Sequence, residues 1–328
     1  MKAAKEVRKI FEERGTKVLE EARSSVRREK IECDEAREAL LYFITYRPDV
    51  LRPALLSLAC EAVGGDPSIT APVGRALILL SGAFDIHDDI IDKTVKRGRR
   101  PAIPGKFGPD IALLAGDAFI FKGLAELFEG VMKLDLPPEK KLEIVWTIKD
   151  LYFELGDAEA MELKFRARTD IKPGDYLKVI RKKAGDVEAY MKVGAMLGEG
   201  SEEQVAALGE YGRLLGMMII LRDDLEDLLD FNVELPLRIK NESLPLPLLY
   251  ALEDRSRKGD ILAILRRGEI RGREARRLFK LVSEAGGIVK LGKVLEDLRE
   301  EAILTLRSIK RNKEVFMNVL QATVPQQV

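Results

Sequence analysis

The amino-acid sequence predicts an all-α protein, and three observations carry that prediction. Apolar residues recur at spacings of three and four, runs of alternating β-branched residues are almost absent, and chain breakers fall at intervals suited to a helical bundle. The breakers are YRPDVLRP (46–53), GGDPS (64–68), GRRPAIPGKFG (98–108), LDLPPE (134–139), DIKPGD (170–175) and GEGS (198–201). Roughly ten or more helices in one domain over residues 1–328 is the economical arrangement.

Each element has a local reason. Pro138 suits an early helical position, where its missing N–H costs nothing. Ser201 with Gln204 forms a capping-box pattern that opens a helix. The segment FNVELPLRIKNESLPLP (231–247) follows the most polar helix end and reads as a long functional loop. Trp146 and Cys60 lie in apolar helical context and read as core. His87, the only histidine, reads as a packed, hydrogen-bonded residue rather than a catalyst.

The bulk numbers exclude some functions. With 46% hydrophobic residues the chain can bury a substantial core. Its 55 basic and 55 acidic side chains cancel, which removes any global electrostatic case for nucleic acid or an anionic membrane surface. Anion binding must come from local clusters. Cys33 and Cys60 make neither a disulfide framework nor a metal cage. The N-terminal stretch MKAAKEVRKIFEERG has no signal-peptide core, and the longest apolar run, near 76–84, falls far short of the ~20 residues that span a bilayer. A soluble, cytoplasmic protein without a transmembrane segment is expected. Charged residues at 34%, with four Asn and four Gln, lean towards a heat-adapted source.

Two carboxylate clusters carry the chemistry. In GAFDIHDDIIDKTVKRGRRP (82–101), Asp88, Asp89 and Asp92 form a DDxxD motif. On a helix these residues and Asp85 share an arc of about 100°, while Leu77, Leu80, Phe84, Ile86, Ile90 and Ile91 occupy the other faces. Lys96, Arg97, Arg99 and Arg100 follow at once. In LRDDLEDLLD, Asp223, Asp227 and Asp230 share a face of about 60°, with Asp224 beside it. Asp88 and Asp223 are 135 residues apart, and antiparallel helices would let the two stripes face one another. Oxygen-only ligands select hard cations such as Mg²⁺, whose open positions phosphate oxygens fill. A Mg²⁺–diphosphate is the natural occupant.

On HDDIID, RG, GPDIALLAGDAFIF, KKAG and RDDLEDLLD, spread over about residues 40–252, the chain resembles the trans-isoprenyl diphosphate synthases, or polyprenyl synthetase family. The resemblance implies an isoprenoid-synthase helical bundle with a central channel, usually dimeric, and a Mg²⁺-dependent prenyltransferase. In such an enzyme an allylic diphosphate ionises and its carbocation is attacked by the double bond of isopentenyl diphosphate. It further implies Asp88, Asp92 and Asp223 as metal ligands, with Asp89, Asp224 and Asp227 in support. Lys183 of KKAG matches the lysine on the allylic diphosphate, followed here by Ala184 instead of Thr. Lys96 and Arg97 stand for the arginine pair after the first motif. That loop is one residue short, so Arg99 and Arg100 remain contenders. In the family, bulky residues four or five positions before the motif floor the channel. Here Phe84 and Ala83 hold those positions and imply room for three or four isoprene units.

Departures from the family cluster in the acceptor half. The family's Gly-Gly-Lys-Arg-x-Arg-Pro, aligned to end at Arg52-Pro53, reads RPDVLRP, so Asp49 and Val50 replace Lys and Arg. Ser81 replaces a histidine, Ile219-Ile220 a Phe-Gln pair, and Gly156-Asp157 a Gly-Gln. ELPLRIKNES replaces the Gly-Lys loop after the second motif. Substitute cations are Arg47, Arg52, Arg99, Arg100, Arg238 and Lys240. The expected activity is prenyl transfer to isopentenyl diphosphate or an unusual acceptor. The alternatives are a modulatory subunit paired with an active prenyl synthase, as a heterodimer in place of a homodimer, and a class I terpene cyclase.

Overall fold

The structure, a computed structural model, describes residues 2–47, 49–267 and 270–324; Pro48, inside the first breaker, lies outside them. Among the described residues the fold is all-α apart from one short ribbon. In chain order the helices are α1 (Lys2–Arg27), α2 (Asp34–Tyr46), α3 (Leu51–Ala62), a 3₁₀ turn (Pro67–Thr70), α4 (Ala71–Ile91), α5 (Ile103–Phe107), α6 (Pro109–Met132) and α7 (Pro138–Leu163). There follow α8 (Pro173–Lys183), α9 (Gly185–Leu197), α10 (Glu202–Leu229), α11 (Glu234–Asn241), α12 (Leu246–Ala251), α13 (Lys258–Leu265), α14 (Arg273–Glu284), α15 (Gly287–Thr305) and α16 (Lys313–Thr323). Strands β1 (Lys96–Arg97) and β2 (Arg100–Pro101) pair antiparallel between α4 and α5. The breakers do end helices, and Pro138 does open one. The capping box at Ser201 is formed: its N–H donates to Gln204 Oε1 at 3.0 Å, and the Gln204 N–H donates to Ser201 Oγ at 3.3 Å.

The chain divides into two compact units. The first comprises 1–149, 189–209 and 308–315; the second comprises 150–188, 210–307 and 316–328.

In the first unit α4 runs against α6. Gly116, Gly123 and Gly130 recur every seven residues on α6, which puts them on one face. A Cβ at Gly123 would stand 2.8 Å from the Leu80 side chain, and one at Gly116 would stand 2.3 Å from His87 Nε2. The glycines thus let α6 lie close along the helix that carries the first Asp motif. His87 packs there as a half-buried residue, with Nε2 3.4 Å from Asp117 Oδ1. The opposite face of α6 is also apolar, yet open: Leu114, Phe121, Leu124, Phe128 and Met132 are all exposed.

In the second unit α12 packs on α14, α15 and α8. The buried Arg213 guanidinium donates to Glu154 Oε2 at 2.8 Å, to the Arg181 carbonyl at 2.8 Å and to Glu188, holding three segments together.

Two expectations need correction. Trp146 is not core but 52% exposed on α7, with Leu142 exposed one turn before it. Apolar context on a helix does not tell an outward apolar face from an inward one. The segment 231–247 is not a structureless loop, because α11 forms within it and buries Leu235 and Arg238. Pro236 is tolerated there because it sits in the first turn, where amide donors are unpaired in any helix. By length and composition Pro67–Ile91 and Glu202–Leu229 pass as membrane spans. Their apolar windows are 67% and 61% buried inside the protein, as core helices are.

Candidate active site

The first Asp motif closes α4. Asp88 and Asp89 lie in its last turn and Asp92 is its C-cap, whose N–H donates to the Asp88 carbonyl at 2.8 Å. Carboxylates at a helix C-terminus oppose the helix dipole and need compensating positive charge. The β1–β2 ribbon brings one cation back. Gly98 takes a left-handed φ of 59° in its turn, and Arg97 reverses onto the helix end. Arg97 Nε donates to Asp89 Oδ1 at 2.8 Å, and its Nη2 lies 3.8 Å from Asp88 Oδ2. Burial pushes the Asp89 carboxyl up to about 6, even with Arg97 pulling it the other way. The ribbon is anchored by the Tyr42 hydroxyl on the Pro101 carbonyl at 2.9 Å and by Arg100 stacked 4.1 Å over the Tyr46 ring. Lys96 and Arg99 are exposed on it.

The residues read from the sequence as an altered acceptor motif lie in the same unit, and their charges are paired. Asp49 accepts from Arg52 Nη1 at 2.8 Å and from Arg47 Nη2 at 3.4 Å. Arg47 also pairs with Asp85. Burial raises the Asp49 carboxyl, but Arg52 and Arg47 outweigh it and hold it below the usual carboxylate range. Two cations and two carboxylates therefore balance locally. Ser81, in the histidine's place, shares a 3.1 Å hydrogen bond with the Tyr190 hydroxyl. Phe84 is half-buried and Ala83 buried, one turn before Asp88.

The second Asp motif belongs to the second unit and holds an arginine in its midst. Arg238 of α11 reaches Asp227 Oδ2 and Asp224 Oδ1, each at 2.6 Å. The same guanidinium donates to the Tyr176 hydroxyl at 2.9 Å and to the Ser243 carbonyl at 3.3 Å. Asp224 is wholly buried and also accepts the Leu246 N–H at 2.9 Å. Asp223 is half-exposed beside Arg222 Nη2 at 3.0 Å. Lys183 closes α8 and is clasped by Glu162 at 2.6 Å and Glu159 at 3.0 Å. Ser243 Oγ donates to Glu162 Oε1 at 2.5 Å, which joins the lysine to the α11 loop. Asp157, where the family has Gln, pairs with Lys182 at 2.6 Å.

Within each unit the predicted residues do gather: Asp88, Asp89, Asp92 and Arg97 in one, Asp224, Asp227 and Lys183 around a shared network in the other. Tyr176, Glu162, Ser243 and Tyr190 were not foreseen; Asp85, expected on the first acidic stripe, pairs with Arg47, and Arg238, expected as an acceptor cation, is a partner of the Asp motif. The signal for Arg238 was a lone basic pair, Arg238 and Lys240, just after an acidic helix end. Among the described residues no three His, Cys, Asp or Glu converge into a ready-made metal cage.

Burial raises the Glu162 carboxyl, but Lys183, Ser243 and Arg238 outweigh it and bring it down to about 2. A carboxyl depressed in this way stabilises the fold in full above the usual glutamate value of 4.5, and that stability is lost as pH falls through about 2. The drop from 4.5 to about 2 corresponds to roughly 3 kcal/mol. Glu162→Gln should therefore destabilise the protein at pH 7 by up to that amount, with the deficit shrinking towards pH 2. Urea unfolding of both proteins at several pH values checks this, and a deficit that does not change with pH contradicts it.

The polyprenyl synthetase family model matches residues 34–282, a span that holds both Asp motifs and Lys183. A short chain isoprenyl diphosphate synthase of Methanothermobacter thermautotrophicus is 31% identical, covering 84% of this chain and 82% of its own. A geranylgeranyl diphosphate synthase of Methanosarcina mazei is 33% identical over 60% of this chain and 59% of its own. In fold, the crystal structure of geranylgeranyl pyrophosphate synthetase from Pyrococcus horikoshii superposes with a TM-score of 0.85 over 98% of this chain and 99% of that one, at 24% identity. With the match running through three quarters of its length, the chain belongs to the polyprenyl synthetase family of prenyltransferases.

Proposed function

We propose that the protein is a cytoplasmic, Mg²⁺-dependent prenyl diphosphate synthase that binds an allylic diphosphate of geranyl, farnesyl or geranylgeranyl type through both Asp motifs. The observation that carries this reading is that each motif already attracts a cation of the protein's own, Arg97 on the first and Arg238 on the second. An all-carboxylate donor set suits Mg²⁺. Asp88, Asp92 and Asp223 are the ligands, with Asp89, Asp224 and Asp227 behind them. Among the described residues no closed cage stands ready, so bound Mg²⁺ would keep positions that phosphate oxygens could fill. When bound, Mg²⁺ supplies Lewis-acid stabilisation of the departing diphosphate. Arg97, released from Asp88 and Asp89, and Lys183, released from Glu162, then turn their charge to that diphosphate, aided by Lys96, Arg99 and Arg100. Phe84 limits the length of the prenyl tail.

A bisphosphonate should accordingly bind only when Mg²⁺ or Mn²⁺ is present. Asp88→Ala and Asp223→Ala should each weaken it by about 10- to 100-fold, the worth of one charge-assisted contact. Titration calorimetry measures this. Metal-independent binding, or wild-type affinity in both variants, would sink the donor-site assignment.

The acceptor side is self-neutralised. Isopentenyl diphosphate has to compete with Asp49 for Arg47 and Arg52, so its affinity is low. This arrangement also suits the second reading, a modulatory subunit that binds only an allylic diphosphate. Asp49→Asn keeps the shape, removes the competing charge, and should raise affinity for an isopentenyl thiodiphosphate by about 10- to 100-fold. Unchanged affinity in Asp49→Asn would mean that Arg47 and Arg52 take no part. Product analysis with both diphosphates present then separates the synthase from the modulatory subunit.

A homodimer fits α6. A bare apolar face on a helix calls for cover, and one face of α6 already lies against α4 while the opposite face, with Leu114, Phe121, Leu124, Phe128 and Met132, stays exposed. The pair Phe121→Glu and Phe128→Glu should convert a dimer into monomers, read as a halved mass by light scattering. A wild-type protein that is monomeric at micromolar concentration would refute the assignment.

A further inference from the structure

The reverse side of α11, away from the Asp motif, borders a cavity of about 390 Å³ within the second unit. Its walls are mainly apolar, with Pro236 and Ile239 from α11, Leu262 and Leu265 from α13, and Leu244 and Ile270 from the adjoining segments. Two cations, Lys240 and Arg266, stand among them, and among the described residues no lining residue is acidic. Lys240 and Arg266 have no carboxylate partner among the described residues.

An apolar hollow of this size with a few convergent polar groups has the form of a small-molecule site. Two positive charges select an anion, and the aliphatic walls select a hydrocarbon tail. At about 30 Å³ for each water- or methylene-sized group, the cavity takes about a dozen such groups, the size of an octyl phosphate.

We propose that this cavity is a binding site for an amphiphilic phosphate, a short aliphatic or prenyl chain with a phosphate head held between Lys240 and Arg266. The site is separate from the Asp motifs and needs no metal, and it does not rest on the reading of the activity. Ile239 and Lys240 belong to the helix that also carries Arg238, and Leu244 follows Ser243, which bonds Glu162. A ligand here therefore touches the same short segment that seats Arg238 and Lys183.

The test is titration calorimetry of octyl phosphate with the full chain in EDTA. Saturable binding of one ligand per chain is expected. Lys240→Glu combined with Arg266→Glu should weaken it at least about tenfold, the worth of one charge-assisted contact. These two residues are exposed, so their reversal leaves the core untouched. Leu262→Trp should abolish binding by filling the cavity. Octyl glucoside, with the same tail and no charge, should bind at least about tenfold more weakly for the same reason. Asp88→Ala should bind octyl phosphate as the wild type does. The proposal is overturned by an absence of saturable binding, by equal affinity for octyl glucoside, or by loss of binding in Asp88→Ala. Undiminished binding in the double charge reversal also overturns it, even if Leu262→Trp does not fold.

Discussion

Opposite charges brought together where water is scarce are the constraint on which the rest of this protein depends. An acid stripe at the end of an apolar helix is costly unless cations neutralise it. Arg238 shows the solution in its fullest form. One guanidinium satisfies Asp224, Asp227, the Tyr176 hydroxyl and the Ser243 carbonyl, and in doing so folds α11 onto the end of α10. Removing one member of such a group strands the others, so these pairs hold tertiary structure as well as chemistry. The same cations are those that a diphosphate would attract. These cations are held by the protein's own carboxylates.

Close helix packing delivers these groups to their places. The glycine row of α6 lets it lie along α4, and that contact sets where α4 ends and where its aspartates project. The turn that leaves α4, with Lys93 left-handed and the Thr94 N–H on the Asp89 carbonyl, lets Arg97 of the ribbon meet the carboxylates eight and nine residues before it. Asp49 binds Arg47 and Arg52 into a closed network with Asp85. The carboxylates of the two Asp motifs and the paired charges around Asp49 thus follow one rule, in which each acid is met by a cation of the protein's own.

Much of this was legible in the sequence. The breakers mark helix ends because Pro and Gly act locally, and the capping box at Ser201 needs only residues three apart. The Asp stripes follow from helical period and residue identity alone. Trp146 was misread because periodicity reports an apolar face without saying what covers it. The helix within 231–247 was missed because its stability comes from burying Leu235 and Arg238, and its own residues advertise only turns and charge.

The sequence by itself determined the fold class, the family and the positions of the carboxylates and cations, since each rests on local spacing or on motifs a few residues long. Only the tertiary structure decided which cation sits on which carboxylate. Lys183 and Glu162 are 21 residues apart, Arg47 and Asp85 are 38 apart, and Ser81 and Tyr190 are 109 apart. No helical period links such residues. Each cation had several acids within reach in sequence, and the packing of the helices brought one or two of them within bonding distance, where charge attraction falls off steeply enough to make the choice.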